Sequence, residues 1–352
     1  MAIYIYLYLS MLLGIFFEKI TYKGNRLVKF YFVCIVVIFA LVAGTRYRVG
    51  VDFFSYMKMF DTINYNVVEE RLFVYLVRFL KCYINNLQVF LVISIITMFF
   101  LYKVFEENLE KYYIFGFYIY MTSHFFAQNM GQIRFSLSIA ICLYSLKYID
   151  KKLTFKNLIL LLIIFATAFF IHRTAIIYIF IFFLVKLKNI KKNYLFPMIF
   201  CSFVLGKLFI TKKTIIFLGN LVNSRKLISM AYGRYVSEVN FSLYQLVILG
   251  TAVFLIMYKT KSLKIILMRK MYFFGVGIYF LFINMAIFSG RFSDILLSCN
   301  CLLFPLIIKE SKDKKLNLCI YIYVLCIGMY IYFSALYKGA NILIPYRSWL
   351  LL

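Results

Sequence analysis

The stretch "VKFYFVCIVVIFALVAGTRYRVGVDFFSYMKMFD", residues 28–61, decides the fold of this chain. Residues 28–44 are mostly apolar, and a run of about this length can cross the hydrocarbon core of a bilayer as a helix. Three charged residues, Arg46, Arg48 and Asp52, follow the run at once. Charge beside lipid is costly unless it is paired or bound, so we expect these residues to have a partner.

The whole chain has the composition of a membrane protein. Of its 352 residues, 64% are hydrophobic and 21% are aromatic, the mean hydropathy is +0.89, and only 3 are prolines. Lipid leaves helices and closed barrels as the only spanning structures, and long unbroken apolar runs favour helices. We therefore predict an all-α, polytopic integral membrane bundle of about 12 transmembrane helices and exclude a soluble protein.

Twelve apolar segments are candidates for these helices. They lie at residues 2–17, 28–44, 87–104, 112–128, 133–149, 157–171, 174–185, 194–210, 241–258, 271–288, 292–308 and 317–336. The first lacks a basic start and a cleavage site, so we expect a span and not a removable signal. Residues 1–352 are treated as one membrane domain. Its two longest connections are 45–86 and 207–240, and the second is a candidate lid over the site.

The loops between segments are of two kinds, and their charges predict the orientation. Short lysine-rich connections such as "KYIDKKLTFK" and "KTKSLKIILMRK" alternate with the longer connections. The lysine-rich side holds about 23 of the 40 basic residues in about 59 positions, more than twice the density of the other side. Since cytoplasmic loops accumulate Lys and Arg, we expect both termini on the outer side.

The arginines follow a second, opposite distribution. Only Arg26 and Arg269 of the 12 arginines fall on the lysine-rich side. The orientation rule treats Lys and Arg alike and does not explain this split. Arg presents a planar fork of donors that pairs with phosphate, so the outer arginines predict a phosphate or diphosphate ligand. In the alternative, they extend to lipid headgroups or pair with outer acidic residues, which are Asp52, Asp61, Glu69, Glu70, Glu238 and Asp294.

Other ligand classes are not expected. A net charge of +27 would favour nucleic acid in a soluble chain, but here the basic residues lie between apolar runs, where they meet lipid headgroups. Cys299 and Cys301 form an isolated pair with no nearby histidine, so we predict no metal site. Nothing in the sequence indicates a cofactor.

Four motifs place polar side chains at the predicted outer ends of segments. In chain order they are "GTRYRVGVDFFSYMKMFD", "NMGQIRFSLSIA", "FFIHRTAII" and "FSGRFSDILL". The candidates for ligand binding in them and in the 207–240 loop are Arg46, Arg48, Tyr56, Gln132, Arg134, Arg173, Arg234 and Arg291. Arg134 has no acidic neighbour in its own motif and is the arginine most expected to bind ligand. Arg291 and Asp294 have the spacing of a local helical ion pair, which is the alternative there.

The order of these motifs resembles a known family. "TRYRVGVDFFSYMKMF", "NMGQIRFSLSIAICLYSLKYI", "FFIHRTAIIYI", "GRF" near residue 290 and "IPYRSWL" occur in this order between apolar segments. The pattern covers roughly residues 40–350 and resembles the EpsG-like branch of the Wzy-type polysaccharide polymerases. One departure is Phe135, where the family usually has glutamine, and it leaves the partner of Arg134 open.

The resemblance implies a function and an architecture. It implies a GT-C-like, multi-pass glycosyltransferase of the bacterial inner membrane, with its active site on the periplasmic face. The substrate would be an undecaprenyl-diphosphate-linked oligosaccharide, extended into O-antigen, capsule or exopolysaccharide. Membrane lipid, a flippase and a chain-length regulator are the further expected partners. A flippase of the same unit and an O-antigen ligase are the alternatives.

The residues fit this chemistry. An acceptor hydroxyl would attack an anomeric carbon and expel undecaprenyl diphosphate, whose charge the outer arginines would stabilise. The hydroxyl also needs a proton acceptor, and the candidates are Asp52, His172 and Asp294.

Overall fold

The computed structural model of this chain describes residues 1–21, 26–62, 70–188, 190–208, 210–221 and 242–351. Within these ranges every regular element is a helix, apart from one isolated β-bridge. The prediction of an all-α membrane bundle is therefore confirmed. Most of the 207–240 loop, including Arg234, lies outside the described residues.

The helices are numbered here in chain order. They are α1 (Ala2–Ile20), α2 (Arg26–Gly44), α3 (Phe53–Thr62), α4 (Arg71–Lys81), α5 (Asn86–Asn108), α6 (Tyr113–His124), α7 (Ile133–Tyr144), α8 (Phe155–Ile171), α9 (Ala175–Leu187), α10 (Leu195–Lys207), α11 (Ile210–Leu221), α12 (Leu243–Met257), α13 (Leu263–Leu281), α14 (Ala286–Leu297), α15 (Asn300–Glu310), α16 (Lys314–Lys338) and α17 (Ala340–Leu343). A π-helical turn, Phe125–Asn129, follows α6.

The chain divides into two compact units. Unit 1 contains residues 1–175 and 300–352, and unit 2 contains residues 176–299. By length and apolar composition, α1, α2, α5, α16 and the segment Ala286–Glu310 are able to cross a membrane. Four shorter apolar helices, α8, α9, α10 and α12, also lie in predicted segments. The number of twelve spans and the single-domain organisation stay predictions.

Two boundaries in unit 2 differ from the sequence-based expectation. The break expected at residues 289–291 lies at 282–285, and α14 (Ala286–Leu297) continues through residues 289–291. The lysine-rich connection was expected to extend to residue 270, but α13 begins at Leu263 and Arg269 is 7% exposed. The Arg269 guanidinium donates to the carbonyl oxygens of Leu255 (3.1 Å) and Tyr258 (3.2 Å) at the end of α12. Carbonyls at a helix end lack partners within the helix, so this arginine closes α12 from the neighbouring helix.

In unit 1, the end of α2 lies tightly against the beginning of α5. Helix α2 packs on α5, α5 on α7, and α7 on α8, while α6 packs on α1, α15 and α16. A Cβ atom at Gly44 would lie 2.6 Å from the Cα atom of Leu91. Only glycine allows this approach, so the first polar motif begins directly against α5.

Unit 1 has two chemically different ends. The lysine end contains Lys29, Lys103, Lys147 and Lys309. The arginine end contains Arg46, Arg48, Arg134 and Arg347. Helix α2 runs from the first end to the second, and α5 runs back. These two groups are therefore separated in space, although Lys81, which donates to the Phe60 carbonyl, and Arg26, which begins α2, each lie at the opposite end.

Candidate functional site

The first and the last motif of the chain meet at the arginine end. The Tyr47 N–H donates to the carbonyl oxygen of Arg347 over 2.8 Å. Arg46 and Ser348 form the isolated antiparallel bridge beside it. The "TRYR" and "IPYRSWL" motifs therefore lie side by side, although they come from opposite ends of the sequence.

Together these two motifs cap helix α2. The carbonyl oxygens of residues 41–44, the last in the helix, all accept hydrogen bonds. Thr45 donates to the Leu41 carbonyl through both its N–H and its hydroxyl, over 2.8 Å each. Tyr346 donates to the Val42 carbonyl (2.9 Å). Arg46 donates to the Ala43 carbonyl, and the Trp349 indole donates to the Gly44 carbonyl (3.3 Å). Because helix ends cannot satisfy these carbonyls internally, both motifs are needed to end α2.

Arg46 is a fully buried cation. Its side chain is 0% exposed, and its guanidinium lies over the Phe90 ring at 4.7 Å from the centroid. Besides the bond to the α2 carbonyl, its Nε and Nη2 atoms have no hydrogen-bond partner among the described residues. Burial lowers the pKa of the guanidinium to about 10, so Arg46 is still charged at neutral pH. It gives the arginine end a fixed positive charge.

Arg48 is exposed, in contrast to Arg46. Its backbone has φ 56°, a left-handed value, and its guanidinium lies 5.1 Å from the centroid of Tyr47. Gly50 follows with φ 101° and packs against the carbonyl of Met130, which belongs to the second motif. A side chain at Gly50 would collide with that carbonyl, so glycine allows the first and second motifs to touch.

An aromatic cluster lies between the buried Arg46 and Arg134 of the second motif. Phe53, Tyr56 and Phe60 of α3 surround Phe90 of α5, with ring centroids 5.2 to 6.1 Å apart. The Arg134 guanidinium lies 5.5 Å from the centroid of Tyr56. Burial raises the pKa of the Tyr56 phenol, while the positive charge of Arg134 opposes this shift. Tyr56 therefore remains a neutral hydroxyl at the base of the site.

The partner of Arg134 is Glu70. The Glu70 carboxylate accepts from the Arg134 guanidinium, which also lies 5.8 Å from the centroid of Phe73. The Arg134 side chain is 32% exposed, and that of Glu70 is 11% exposed. The question left open by the departure at Phe135 is thus answered by an acidic residue from another part of the chain. The pairing of outer arginines with acidic residues, one of the two alternatives, applies to Arg134.

The third motif joins the same group. The His172 Nε2 atom lies 3.8 Å from Oε1 of Glu70, and Nδ1 lies 2.6 Å from the Thr174 hydroxyl. The His172 ring packs against Phe135 at 5.1 Å between centroids. The first three motifs therefore meet around the Glu70–Arg134 pair. Arg173 lies next to His172 and is exposed.

Two predicted site residues lie at helix starts nearby. Asp52 immediately precedes α3, is half-buried and acts electrostatically on both Tyr56 and Arg134. Its carboxylate makes no hydrogen bond or ion pair with another part of the chain that the structure describes. Gln132 is half-buried at the N-cap position of α7. Their roles as base and ligand contact stay predictions.

Arg291 and Asp294 belong to unit 2. Both lie in α14 and are half-buried. No ion pair joins them, and the buried Nε atom of Arg291 has no hydrogen-bond partner among the described residues. Asp294 lies within electrostatic reach of Tyr244 and Tyr279. Among the described residues no ion pair between Arg291 and Asp294 is seen, and their roles in ligand binding and proton transfer stay predictions.

Three residues of the arginine end are not among the sequence-predicted site residues. They are Glu70, Tyr346 and Arg347. The "IPYRSWL" motif carried a signal for the last two. Glu70 was expected only as one of six possible acidic partners of the outer arginines, because it lies 64 residues from Arg134 in sequence and outside the quoted motifs. Within the described residues, no group of three His, Cys, Asp or Glu side chains is arranged to hold a metal ion.

Comparison with known proteins places these motifs in one family. The sequence model of the EpsG family matches residues 29–348. No curated protein and no solved structure gives a significant match to the chain. The matched region runs from within α2 to Ser348 in the C-terminal motif, and so contains Arg46, Arg48, Glu70, Arg134, His172 and Arg347. The chain therefore belongs to the EpsG family.

Proposed function

We propose that this chain is a membrane glycosyltransferase that joins undecaprenyl-diphosphate-linked oligosaccharide repeat units into a surface polysaccharide. Membership in the EpsG family suggests a polysaccharide polymerase-type membrane protein and supports this class of activity. The observation that carries the proposal is the arginine end, where the first, second, third and C-terminal motifs meet. The guanidinium groups of Arg46, Arg48 and Arg134 lie against aromatic rings there. We place the reaction on the outer face of the bacterial inner membrane, as the lysine distribution predicts.

The proposed reaction is a single displacement. A hydroxyl oxygen of the acceptor unit bonds to the anomeric carbon of the donor unit, and the bond from that carbon to the diphosphate breaks. The diphosphate leaves with the electron pair, and the hydroxyl proton passes to a base. Charge develops on the leaving diphosphate, so preorganised guanidinium groups lower the barrier.

The arginines have different accessibility and therefore different proposed roles. Arg48 and Arg347 are exposed and Arg134 is partly exposed, so these three are the proposed contacts to the diphosphate. Arg46, fully buried beneath the Phe90 ring, adds positive potential and holds the end of α2. Asp52 and His172 are the proposed proton acceptors in unit 1, and Asp294 is the candidate in unit 2.

Deletion of the gene tests the activity. Cells that lack the polymerase carry single repeat units in place of the long surface glycan. A flippase deletion leaves almost no exported glycan, and a ligase deletion leaves polymer that is not joined to its acceptor. The proposal requires the first pattern, with full-length glycan restored by the wild-type gene and not by a variant at Arg134.

Reporter fusions test the sidedness. A reporter active only outside the cytoplasm should give no signal when fused after Lys192. It should give signal when fused near Asn223 or at the C-terminus, beside the arginine end. The opposite pattern would place the arginine end in the cytoplasm and contradict the mechanism.

A further inference from the structure

Glu70 holds an unusual position in unit 1. It immediately precedes α4 and adopts φ 58° and ψ 53°, the left-handed region that side chains rarely occupy. Such conformations are unfavourable for residues other than glycine and persist where the surrounding structure enforces them. Helix α4 packs against α8, and His172 is the residue that directly follows α8. The backbone at Glu70 is therefore set by the same packing that places the third motif.

One carboxylate oxygen of Glu70 orients Arg134. The pair uses Nη1 of the guanidinium and Oε2 of the carboxylate. The rings of Tyr56 and Phe73 lie on the same guanidinium, at 5.5 and 5.8 Å from their centroids. A guanidinium has five N–H donors, so one pairing with Glu70 leaves donors for a further anion. Glu70 therefore fixes the direction of the Arg134 guanidinium and leaves some of its N–H donors for a ligand.

The other carboxylate oxygen of Glu70 faces His172. The backbone N–H of Thr174 donates to Nδ1 of His172 over 3.4 Å, and the Thr174 hydroxyl lies 2.6 Å from the same atom. A backbone N–H can only donate, so Nδ1 is the accepting nitrogen of the neutral ring. The ring proton is then on Nε2, the atom 3.8 Å from Glu70. Thr174 therefore holds the Nδ1 edge of the ring, and the Glu70 carboxylate faces the Nε2 edge.

We propose that Glu70 is the positioning residue of the arginine end, whose single carboxylate fixes both the Arg134 fork and the His172 ring. This inference rests on the proposed function, because it assigns to Arg134 the binding of the lipid diphosphate. The other charged groups at this position are Asp52, which acts on Arg134 electrostatically, and the neighbours Arg71 and Arg173. Glu70 contacts Arg134 of the second motif and His172 of the third.

The histidine arm of the test uses the full chain in lipid nanodiscs. The sequence has only two histidines, so histidine NMR signals can be assigned by substitution, and buried His124 serves as an internal reference. Glu70→Gln removes the charge that stabilises the imidazolium, so the titration midpoint of His172 should fall by about one pH unit. Glu70→Asp keeps the charge and should return the midpoint toward the wild-type value. The matched control Glu107→Gln, which breaks the Lys147 pair, should leave it unchanged.

The binding arm measures the affinity of the same samples for undecaprenyl diphosphate. Glu70→Gln should weaken binding about tenfold, because Arg134 loses its fixed direction. In an Arg134→Gln background, Glu70→Gln should change binding less than twofold, since it acts through Arg134. Glu107→Gln should bind as the wild type does.

Two results would overturn the inference. One is a His172 midpoint that is the same in Glu70→Gln and wild type. The other is binding of undecaprenyl diphosphate that is equal or tighter in Glu70→Gln, which would make Glu70 a competitor of the ligand. If Glu70→Gln does not fold, Glu70→Ala provides both comparisons, because it also removes the carboxylate and should lower the His172 midpoint and the affinity in the same direction. A wild-type protein that fails to bind undecaprenyl diphosphate would instead contradict the proposed function, while the histidine midpoint would still report the Glu70–His172 contact.

Discussion

The two ends of unit 1 use charge in different ways. At the lysine end, each ammonium meets a carboxylate directly: Lys29 and Lys103 bind Glu106 at 2.5 and 2.7 Å, and Lys147 binds Glu107 at 2.6 Å. At the arginine end, Arg46 has no carboxylate partner among the described residues, and Arg48 lies on a tyrosine ring. Paired charges near water contribute little to stability or chemistry, whereas guanidinium groups with unused donors can bind an anion.

The comparison also separates two kinds of constraint. The lysine end is held by pairs of flexible side chains, and any one pair can be lost at small cost. The arginine end is held by backbone contacts between distant motifs, including the cap on α2 and the contact between Gly50 and Met130. The second kind fixes atomic positions, which a binding site requires.

Removing the charge of Arg134 should have the largest effect. Arg134→Gln leaves the Glu70 carboxylate without its guanidinium and removes a donor to the diphosphate, a loss of about 2–5 kcal/mol. The polymerisation rate should fall roughly 30- to 4,000-fold, measured with lipid-linked repeat units in membranes at matched protein level. Lys147→Gln at the lysine end also breaks a pair with a glutamate and should change the rate less than threefold. Similar losses of polymerisation rate in Arg134→Gln and Lys147→Gln would show that the arginine end and the lysine end do not differ in function.

Exchanging guanidinium for ammonium should have the next largest effect. Arg48→Lys and Arg134→Lys keep the charge but lose the two-pronged donor geometry, which costs about 1.5–3 kcal/mol or roughly 10- to 150-fold in rate. Surface glycan should shorten while the protein level in the membrane stays normal. Arg71→Lys, which is outside the motifs, should be nearly silent. Full-length polymer from both Lys variants would show that the arginines are structural.

Gly50→Ala should lower stability by an intermediate amount. The new Cβ meets the Met130 carbonyl and φ 101° is unfavourable for alanine, so the free energy of unfolding should fall by about 1–3 kcal/mol. The thermal midpoint in detergent reports this change. Gly250→Ala is the matched control, because nothing lies within 4 Å of its Cβ position and alanine favours its helix. A larger loss from Gly250→Ala would contradict the assigned role of Gly50.

The helix cap should show the smallest of these effects. Tyr346→Phe removes the hydroxyl that donates to the Val42 carbonyl and contacts Thr45. One such bond contributes about 1 kcal/mol, so the thermal midpoint should fall slightly. Tyr337→Phe, at a position 85% exposed, should leave the midpoint unchanged. An unchanged midpoint in Tyr346→Phe would mean that the C-terminal motif does not stabilise α2.

The sequence by itself determined the class of fold, the family and the residue types of the site. Hydropathy is a local property, so apolar runs predicted the helices, and the order of short motifs was enough to recognise the EpsG family. It also separated arginine from lysine, because each loop carries its own charges. These signals need no knowledge of which segments touch.

Only the tertiary structure decided how the charges are used. It paired Arg134 with Glu70, buried Arg46 while leaving Arg48 exposed, and moved Arg269 from an expected loop into a helix. It also brought Tyr346 and Trp349 to the end of α2. Composition and spacing cannot give these outcomes, because the partner of a charge or of an open carbonyl depends on which helices pack together. That packing joins residues far apart in the chain, and no local pattern records it.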